Sequence, residues 1–421
     1  MSEQVKMLVP ELRFPDFDGS VEWVRAELGT MGKLVSGLTY TPEDVRHNGL
    51  LVLRSSNVQS GQISLNDNVF VRPDIRGANL CRAGDILICV RNGSKPLIGK
   101  SALISNDTPM CTPGAFMTVF RADFPEFVFQ LLQTHAYQVQ VAADLGATIN
   151  SINGKQLKKY EFLIPYSNLE QKKIADFLGS IDALVILHSQ KLEALKHYRK
   201  GMMQQLFPVE GEVVPRLRFP EFRNSEPWKL KPMGKVLGEK QRRISMEDDA
   251  EYSLVTVKRR YGGLISRGVF RGRSIKVKSQ FKVYENDFLI SKRQIVHCAC
   301  GVVPKELDGS IVSNEYSVLV PKKDNCVHFL EYFAQQPAVS LSFVRCSIGI
   351  VIEKMLFKLN DWFKEEFLFP EFDEQRKIAQ FFSELDRVID QQLQKVESLK
   401  EYKKGLMQKL FPVMDEVSDE Q

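Results

Sequence analysis

No stretch of this 421-residue sequence approaches the roughly 20 consecutive apolar residues that span a bilayer as a helix, which excludes an integral helical membrane protein. The first residues, Met1 to Pro10, lack the charged-then-apolar pattern of a signal peptide, so a cytoplasmic location is the expectation. Cysteine is sparse and odd in number, seven, with no Cys-x-x-Cys spacing; neither a disulfide framework nor paired zinc ligands fit that usage. Catalytic signatures are missing too: no Gly-x-Gly-x-x-Gly, no nucleophile elbow, and no Asn-Pro-Pro-Tyr of adenine methyltransferases. Gly93 to Ser101 ends in Gly-Lys-Ser, but it is one residue too long for a phosphate-binding loop and holds Pro96. His297-Cys298-Ala299-Cys300 has no second ligand pair at a useful spacing and reads as a buried strand-to-turn segment. No catalytic residue and no metal ligand is assigned, and no cofactor is expected in this chain. Net charge is only +5, from 57 basic and 52 acidic residues, so the placing of charge carries more information than its sum.

What the sequence does contain is itself, twice. Pro10-Glu-Leu-Arg-Phe-Pro-Asp-Phe17 returns as Pro215-Arg-Leu-Arg-Phe-Pro-Glu-Phe222, and Trp23 as Trp228. Tyr160-Glu-Phe-Leu-Ile-Pro165 is echoed by Glu365-Glu-Phe-Leu-Phe-Pro370. Glu170 to Val209 matches Glu374 to Val413 at about half its positions. Residues 24–159 and 229–364, enclosed by these landmarks, share length but little sequence. One echo survives there: Asp85-Ile-Leu-Ile-Cys-Val-Arg-Asn92 against Asp287-Phe-Leu-Ile-Ser-Lys-Arg-Gln294. A length above 400 residues also calls for at least two cores. A repeated scaffold around two diverged domains is the pattern of fixed geometry with two different specificities.

The repeated segment reads as a long helix. Ser167-x-x-Glu170 is a capping-box pattern and Asp373 offers an N-cap before Glu374, while Phe207-Pro208 and Phe411-Pro412 end the two copies. Between them apolar residues recur in alternating steps of four and three. One copy gives Ile174, Leu178, Ile181, Val185, Leu192 and Leu195; the other gives Ile378, Phe382, Leu385, Ile389, Val396 and Leu399. That 3.5-residue repeat is the seam of a helix that packs on another helix, and the simplest partner of one copy is the other. His188 and Gln392, then Arg199 and Lys403, interrupt the seams at matching levels. The basic pair is expected to snorkel outward, and the polar pair either does likewise or fixes register. A helix of this length rises about 57 Å, against about 34 Å for one turn of B-DNA, which suits a ruler between two readers.

Charge concentrates in the second domain. From Lys258 to Arg293 eleven Lys or Arg residues face only Glu285 and Asp287. Lys258, Arg259, Arg267, Arg271, Arg273 and Lys292 form either a solvated face or a phosphate-binding footprint; interleaved Tyr261, Phe270 and Phe281 argue for shaped loops. Arg91-Asn92 with Lys95 in the first domain, and Arg293-Gln294 in the second, follow the shared strand at matching places. They either end a strand in solvent or read bases, since Arg pairs with guanine and Asn or Gln with adenine.

These landmarks resemble the specificity (S) subunit of type I restriction–modification systems. The resemblance rests on Ala147-Thr-Ile-Asn-Ser-Ile-Asn-Gly154, Leu163-Ile-Pro165, Glu170-Gln-x-Lys-Ile174, Lys200-Gly-Met-Met-Gln-Gln-Leu-Phe-Pro208 and their second copies. It also rests on Ile290-Ser-Lys-Arg-Gln294, Gly301-Val-Val-Pro304 and Val312-Ser-Asn-Glu315. It implies a mixed α/β (α+β) fold with two similar target recognition domains, separated by two long antiparallel helices that form a coiled coil with pseudo-two-fold symmetry. Its divisions are 1–165 (first recognition domain), 166–208 (central spacer helix), 209–369 (second recognition domain), 370–413 (distal spacer helix) and 414–421 (acidic tail). Thr148, Asn150 and Asn153 become DNA contacts by the same resemblance. The second domain has no clear copy of that stretch; Ser347-Ile-Gly-Ile-Val-Ile352 stands instead. Implied partners are double-stranded DNA, two methyltransferase subunits and restriction subunits, which would hold S-adenosylmethionine, ATP and magnesium. A modification-only or other phage-defence assembly, or a structural adaptor, are the alternatives.

Overall fold

The computed structural model of the protein describes residues 9–145 and 150–412; Thr148 and the acidic tail lie outside the described residues. The chain forms two units, Met1–Ser189 with Gln394–Gln421, and Gln190–Leu393. Both divisions fall inside long helices, the central one spanning Asn168–Gln205 and the distal one Phe372–Leu410. Each helix stops just before a Phe-Pro pair, because proline disfavours α conformation in the residue before it and cannot donate to the preceding turn.

In the first unit an antiparallel sheet has the order Gly32–Ser36, Met117–Ala122, Ile86–Cys89, Ser101–Leu103. A second sheet runs Cys111–Pro113, Leu50–Leu53, Val69–Val71, Val45–Arg46, its first pair parallel. Short continuous apolar runs such as Ile86-Leu-Ile-Cys89 are buried along their whole length, as expected of strands covered on both faces. Val24–Glu27 pairs with Glu161–Ile164, joining the start and end of the domain.

The second unit repeats this plan in unlike sequence. Leu237–Glu239, Tyr316–Pro321, Phe288–Ser291 and Cys300–Val302 form the antiparallel sheet. Leu264–Arg271, Glu251–Val257, Ile311–Ser313 and Gln280–Lys282 form the second, and Lys229–Pro232 pairs with Glu366–Phe369. The mixed α/β class and the two similar domains that the resemblance implies are therefore present.

The repeated landmarks acquire physical jobs. Arg13 donates to both carboxylate oxygens of Glu170 (2.8 and 2.7 Å), and Arg218 does the same to Glu374 (2.7 and 2.6 Å). Both carboxylates are buried. The Leu-Arg-Phe-Pro arm is thus the lock that fastens each domain to the first turn of the helix that follows it. This corrects the capping-box reading: the Glu170 carboxylate goes to Arg13 and the Trp23 indole rather than to the helix cap. Asp373 lies inside the first turn of the distal helix rather than before it. The neighbouring glutamines, Gln171 and Gln375, donate to the carbonyls of Pro165 and Pro370. Ile174, Ala175, Ile378 and Ala379 enter the domain cores.

The far ends of the helices also close domains. In the first unit Met407 and Leu410 of the distal helix and Phe411 just after it pack with Trp23 and Phe127, the Trp23–Phe411 rings edge to face at 6.1 Å. In the second, Met202 of the central helix and Leu206 and Phe207 just after it pack with Trp228, Phe329 and Phe382. Helix segments in each unit run antiparallel. Of the twelve seam residues, Val185, Leu195, Ile389 and Leu399 are half-buried and the other eight are buried. The outermost of them, Ile174 and Leu178, or Ile378 and Phe382, serve the domain core as well as the helix pair. Arg199 and Lys403 do not snorkel outward as expected. Lys403 donates to Asp182 within the first unit (2.7 Å), and Arg199 to Asp386 within the second. Each cation is drawn in by a carboxylate on the facing helix segment, which an apolar count along the sequence does not register.

Candidate nucleic-acid interface

In both domains the candidate reading residues sit at the end of one strand, and the repeated aspartate at its start explains why that strand is held. Asp85 is buried and accepts from Arg121 Nε and Nη2 (2.8 and 2.7 Å) and from the Arg82 N–H (2.8 Å). Asp287 is buried and accepts from Arg242 (2.6 and 3.0 Å) and the Tyr284 N–H (2.7 Å). The bonded Asp85 carboxylate raises the pKa of Arg121. A strand pinned at one end by such charge-assisted bonds presents Arg91-Asn92, or Arg293-Gln294, at the other in a fixed place.

In the first unit Arg91 is exposed, lies over the Phe116 ring at 5.4 Å, and bridges to Ser151. Asn92 donates to Ser55 Oγ (2.9 Å) and accepts from the Ser94 N–H (2.9 Å). Asn150 donates to the Gly93 carbonyl (3.4 Å), which brings the loop after residue 149 to the strand end. Lys95 stands exposed on the next turn. Asn153 is the N-cap of a short helix, Gly154–Lys158, its side-chain oxygen accepting from the Lys155 N–H (2.8 Å). Arg91, Asn92, Lys95 and Asn150 thus come together, while Asn153 has a local structural task beside them.

The second unit splits its basic run into two places. The hairpin turn Lys258–Gly263 docks on the segment after the strand, with Arg260 N–H to the His297 carbonyl (2.7 Å) and Tyr261 N–H to that of Cys298 (2.9 Å). This puts Arg259 Nε against Gln294 Oε1 (2.7 Å) and gathers Lys258, Arg259, Lys292, Arg293 and Gln294 in one patch. Lys292 Nζ donates to the Asn314 carbonyl (2.9 Å), and Arg293 Nε to Glu315 (2.6 Å). Arg271 ends the strand Leu264–Arg271 and Arg273 lies just past it, and the strand's eight residues extend on the order of 23 Å. Arg267 is the extra residue of a bulge in that strand, where Leu254 pairs with Gly268 and Val255 with Ser266; a bulge re-aims its side chain.

Reading the sequence missed Glu315 and Glu353, the latter accepting from Arg259 Nη2 (3.0 Å). Glu315 stands in the quoted Val312-Ser-Asn-Glu315, but nothing along the chain ties it to Arg293. Phe116 and Ser55 were equally invisible, being contacts across strands. Elsewhere, burial raises the thiol pKa values of Cys89 and Cys300, so both stay protonated and poor nucleophiles at neutral pH. Among the described residues no group of three His, Cys, Asp or Glu side chains could hold a metal ion. No helix among them is long and apolar enough to cross a membrane.

Comparison with known proteins places this geometry. Residues 20–197 match the model of the type I restriction modification DNA specificity domain. The chain is 28% identical over 208 residues to the specificity subunit of type I restriction enzyme StySPI from Salmonella potsdam, covering 47% of this chain and 44% of that protein. It is 28% identical over 219 residues to that of EcoKI from Escherichia coli K12, covering 49% and 45%. The chain therefore spans less than half the length of either relative. In fold it is similar to the crystal structure of a type I restriction-modification S subunit from M. genitalium, with a TM-score of 0.61 at 15% identity over 97% of this chain and 100% of that one. The chain resembles type I specificity subunits in both sequence and fold.

Proposed function

We propose that this chain is the DNA sequence-recognition subunit of a type I restriction–modification enzyme, each domain reading one half of a bipartite, asymmetric site. The observation that carries the reading is the pair of Asp-anchored strands. One plan is built twice, ending once in Arg91-Asn92 and once in Arg293-Gln294, within surroundings of different charge and contacts. Equal scaffolds hold two readers, and unequal readers make the address asymmetric. Base edges in the major groove are told apart by such bidentate side chains, while Lys and Arg around them hold phosphates.

The divisions between the units, at Ser189–Gln190 and Leu393–Gln394, fall within the two long helices. On this reading the helices set the spacing of the half-sites and dock two methyltransferase subunits and restriction subunits. The chain itself is non-catalytic; S-adenosylmethionine, ATP and magnesium belong to those partners. Methylated bases mapped in a strain carrying this chain and its methyltransferase should define one split sequence. Replacing residues 24–159 with another recognition domain should change one half only, and a change in both halves refutes two independent readers. One added heptad in each helix should lengthen the unspecified spacer; an unchanged spacer refutes the ruler.

A further inference from the structure

Four arginines of the second unit differ in the carboxylates that hold them. Arg218 and Arg242 pair with carboxylates that are 2% and 3% exposed, so these pairs are built into the core. Arg259 and Arg293 sit in the basic patch, yet each is covered by a carboxylate that is itself open to solvent: Glu353 at 58% and Glu315 at 46%. Exposed pairs add little to stability, so folding does not account for them. A DNA-facing patch has every electrostatic reason to exclude carboxylates. Both acids nevertheless occupy guanidinium edges beside the strand end. Arg259 is held on two sides, by Gln294 Oε1 at 2.7 Å and Glu353 Oε2 at 3.0 Å, and Arg293 by Glu315 Oε2 at 2.6 Å. In the first unit the corresponding Arg91 leans on the Phe116 ring and, among the described residues, makes no ion pair.

We propose that Glu315 and Glu353 are specificity-determining residues of the second domain, occupying Arg293 and Arg259 until a matching base displaces them. The proposal rests on the reading of this domain as a DNA reader. An arginine that leaves a carboxylate for a phosphate exchanges one anion for another and gains little. One that leaves it for the acceptor pair of guanine makes two directed bonds, and the freed glutamate can accept from a neighbouring cytosine amino group. Unmatched DNA is thereby penalised while matched DNA is not, which is how a difference of affinities is built. The pairs also hold each guanidinium in one orientation, so that less side-chain freedom is lost on binding.

The test uses the full-length chain and a random-sequence 30-base-pair duplex across a salt series. Glu353→Gln and Glu315→Gln each release one arginine for phosphate, and Glu306→Gln, exposed and outside the patch, controls for the same change of net charge. Counterion release of about 0.9 per phosphate contact predicts roughly eightfold tighter binding at 0.1 M salt, with a log–log salt slope steeper by about 0.9, for each patch variant. Glu306→Gln should change affinity less than about twofold. Adding Arg259→Ala to Glu353→Gln should abolish the gain, which separates a freed arginine from a loosened loop. With the methyltransferase present, the patch variants should methylate added sites that differ in one half only. Patch variants that match Glu306→Gln, or a gain that survives Arg259→Ala, overturn the proposal while leaving the domain a DNA reader. A wild-type chain and variants that leave every duplex unbound at low salt overturn that reading and the proposal together.

Discussion

Replacing Arg218 with alanine strands the Glu374 carboxylate in the core of the second unit. The guanidinium makes two bonds to that carboxylate, at 2.7 and 2.6 Å, and two more to the carbonyls of Ser225 and Glu226, at 2.8 and 3.0 Å. Side-chain exposure is 6% for Arg218 and 2% for Glu374, so water cannot replace the lost partner without opening the arm. Breaking a buried pair from one side costs about 3–5 kcal/mol. For a unit of about 200 residues each kcal/mol moves the midpoint roughly 2–4 °C, so a fall of about 6–20 °C is expected. Thermal and urea unfolding of the full chain, followed by circular dichroism, would measure it, with Lys377→Ala as the comparison. Lys377 pairs with Glu221 on the surface, and such pairs are worth about 0–1 kcal/mol. Replacing both Arg218 and Glu374 by methionine should recover much of the loss, since no charge then remains buried. A deficit below about 1 kcal/mol, equal to that of Lys377→Ala, would refute the assignment of the Leu-Arg-Phe-Pro arm as the lock on the helix.

Gly201 and Gly405 lie within the two helices, and an added Cβ would meet nothing within 4 Å at either. Alanine there should stabilise the isolated chain by about 1 kcal/mol each; unchanged midpoints would show that these helix ends are not formed in solution. Phe411→Ala should cost about 3–5 kcal/mol, because its ring closes the core around Trp23 and Phe127. Tryptophan fluorescence would follow that loss, and a cost below about 1 kcal/mol would mean that the helix end does not seat there. Glu331 has its pKa raised, first by burial and then by the charge of Asp386, with Arg199 opposing. A carboxyl raised in the fold binds its proton more tightly there than when unfolded. Its destabilising effect is absent below the ordinary carboxylate range and grows as pH rises through the raised value. Glu331→Gln should therefore gain stability over the wild type at pH 8 and lose that advantage by pH 4; an advantage independent of pH would refute the assignment.

The parts that repeat are legible along the chain. Two copies of Leu-Arg-Phe-Pro, of the aspartate-led strand and of the Glu-Gln-x-Lys-Ile-Ala helix show a duplicated scaffold without any structure. Helix period and Phe-Pro stops are local properties, and the structure has long helices over Asn168–Gln205 and Phe372–Leu410. Pairings between residues far apart in the chain arise only on folding. Arg13 meets Glu170 across 157 residues and Lys403 meets Asp182 across 221, so a capping box and a snorkelling lysine were reasonable local readings that distant charges overrode. The eleven basic residues from Lys258 to Arg293 read as one run, yet an extended strand carries Arg271 on the order of 23 Å from the hairpin turn and a bulge turns out Arg267. Glu315 and Glu353 had no sequence signal, because a glutamate in a loop looks the same whether it faces solvent or covers an arginine. Local order is written in neighbouring residues, whereas the electrostatic surface of the candidate interface exists only once the chain has brought distant charges together.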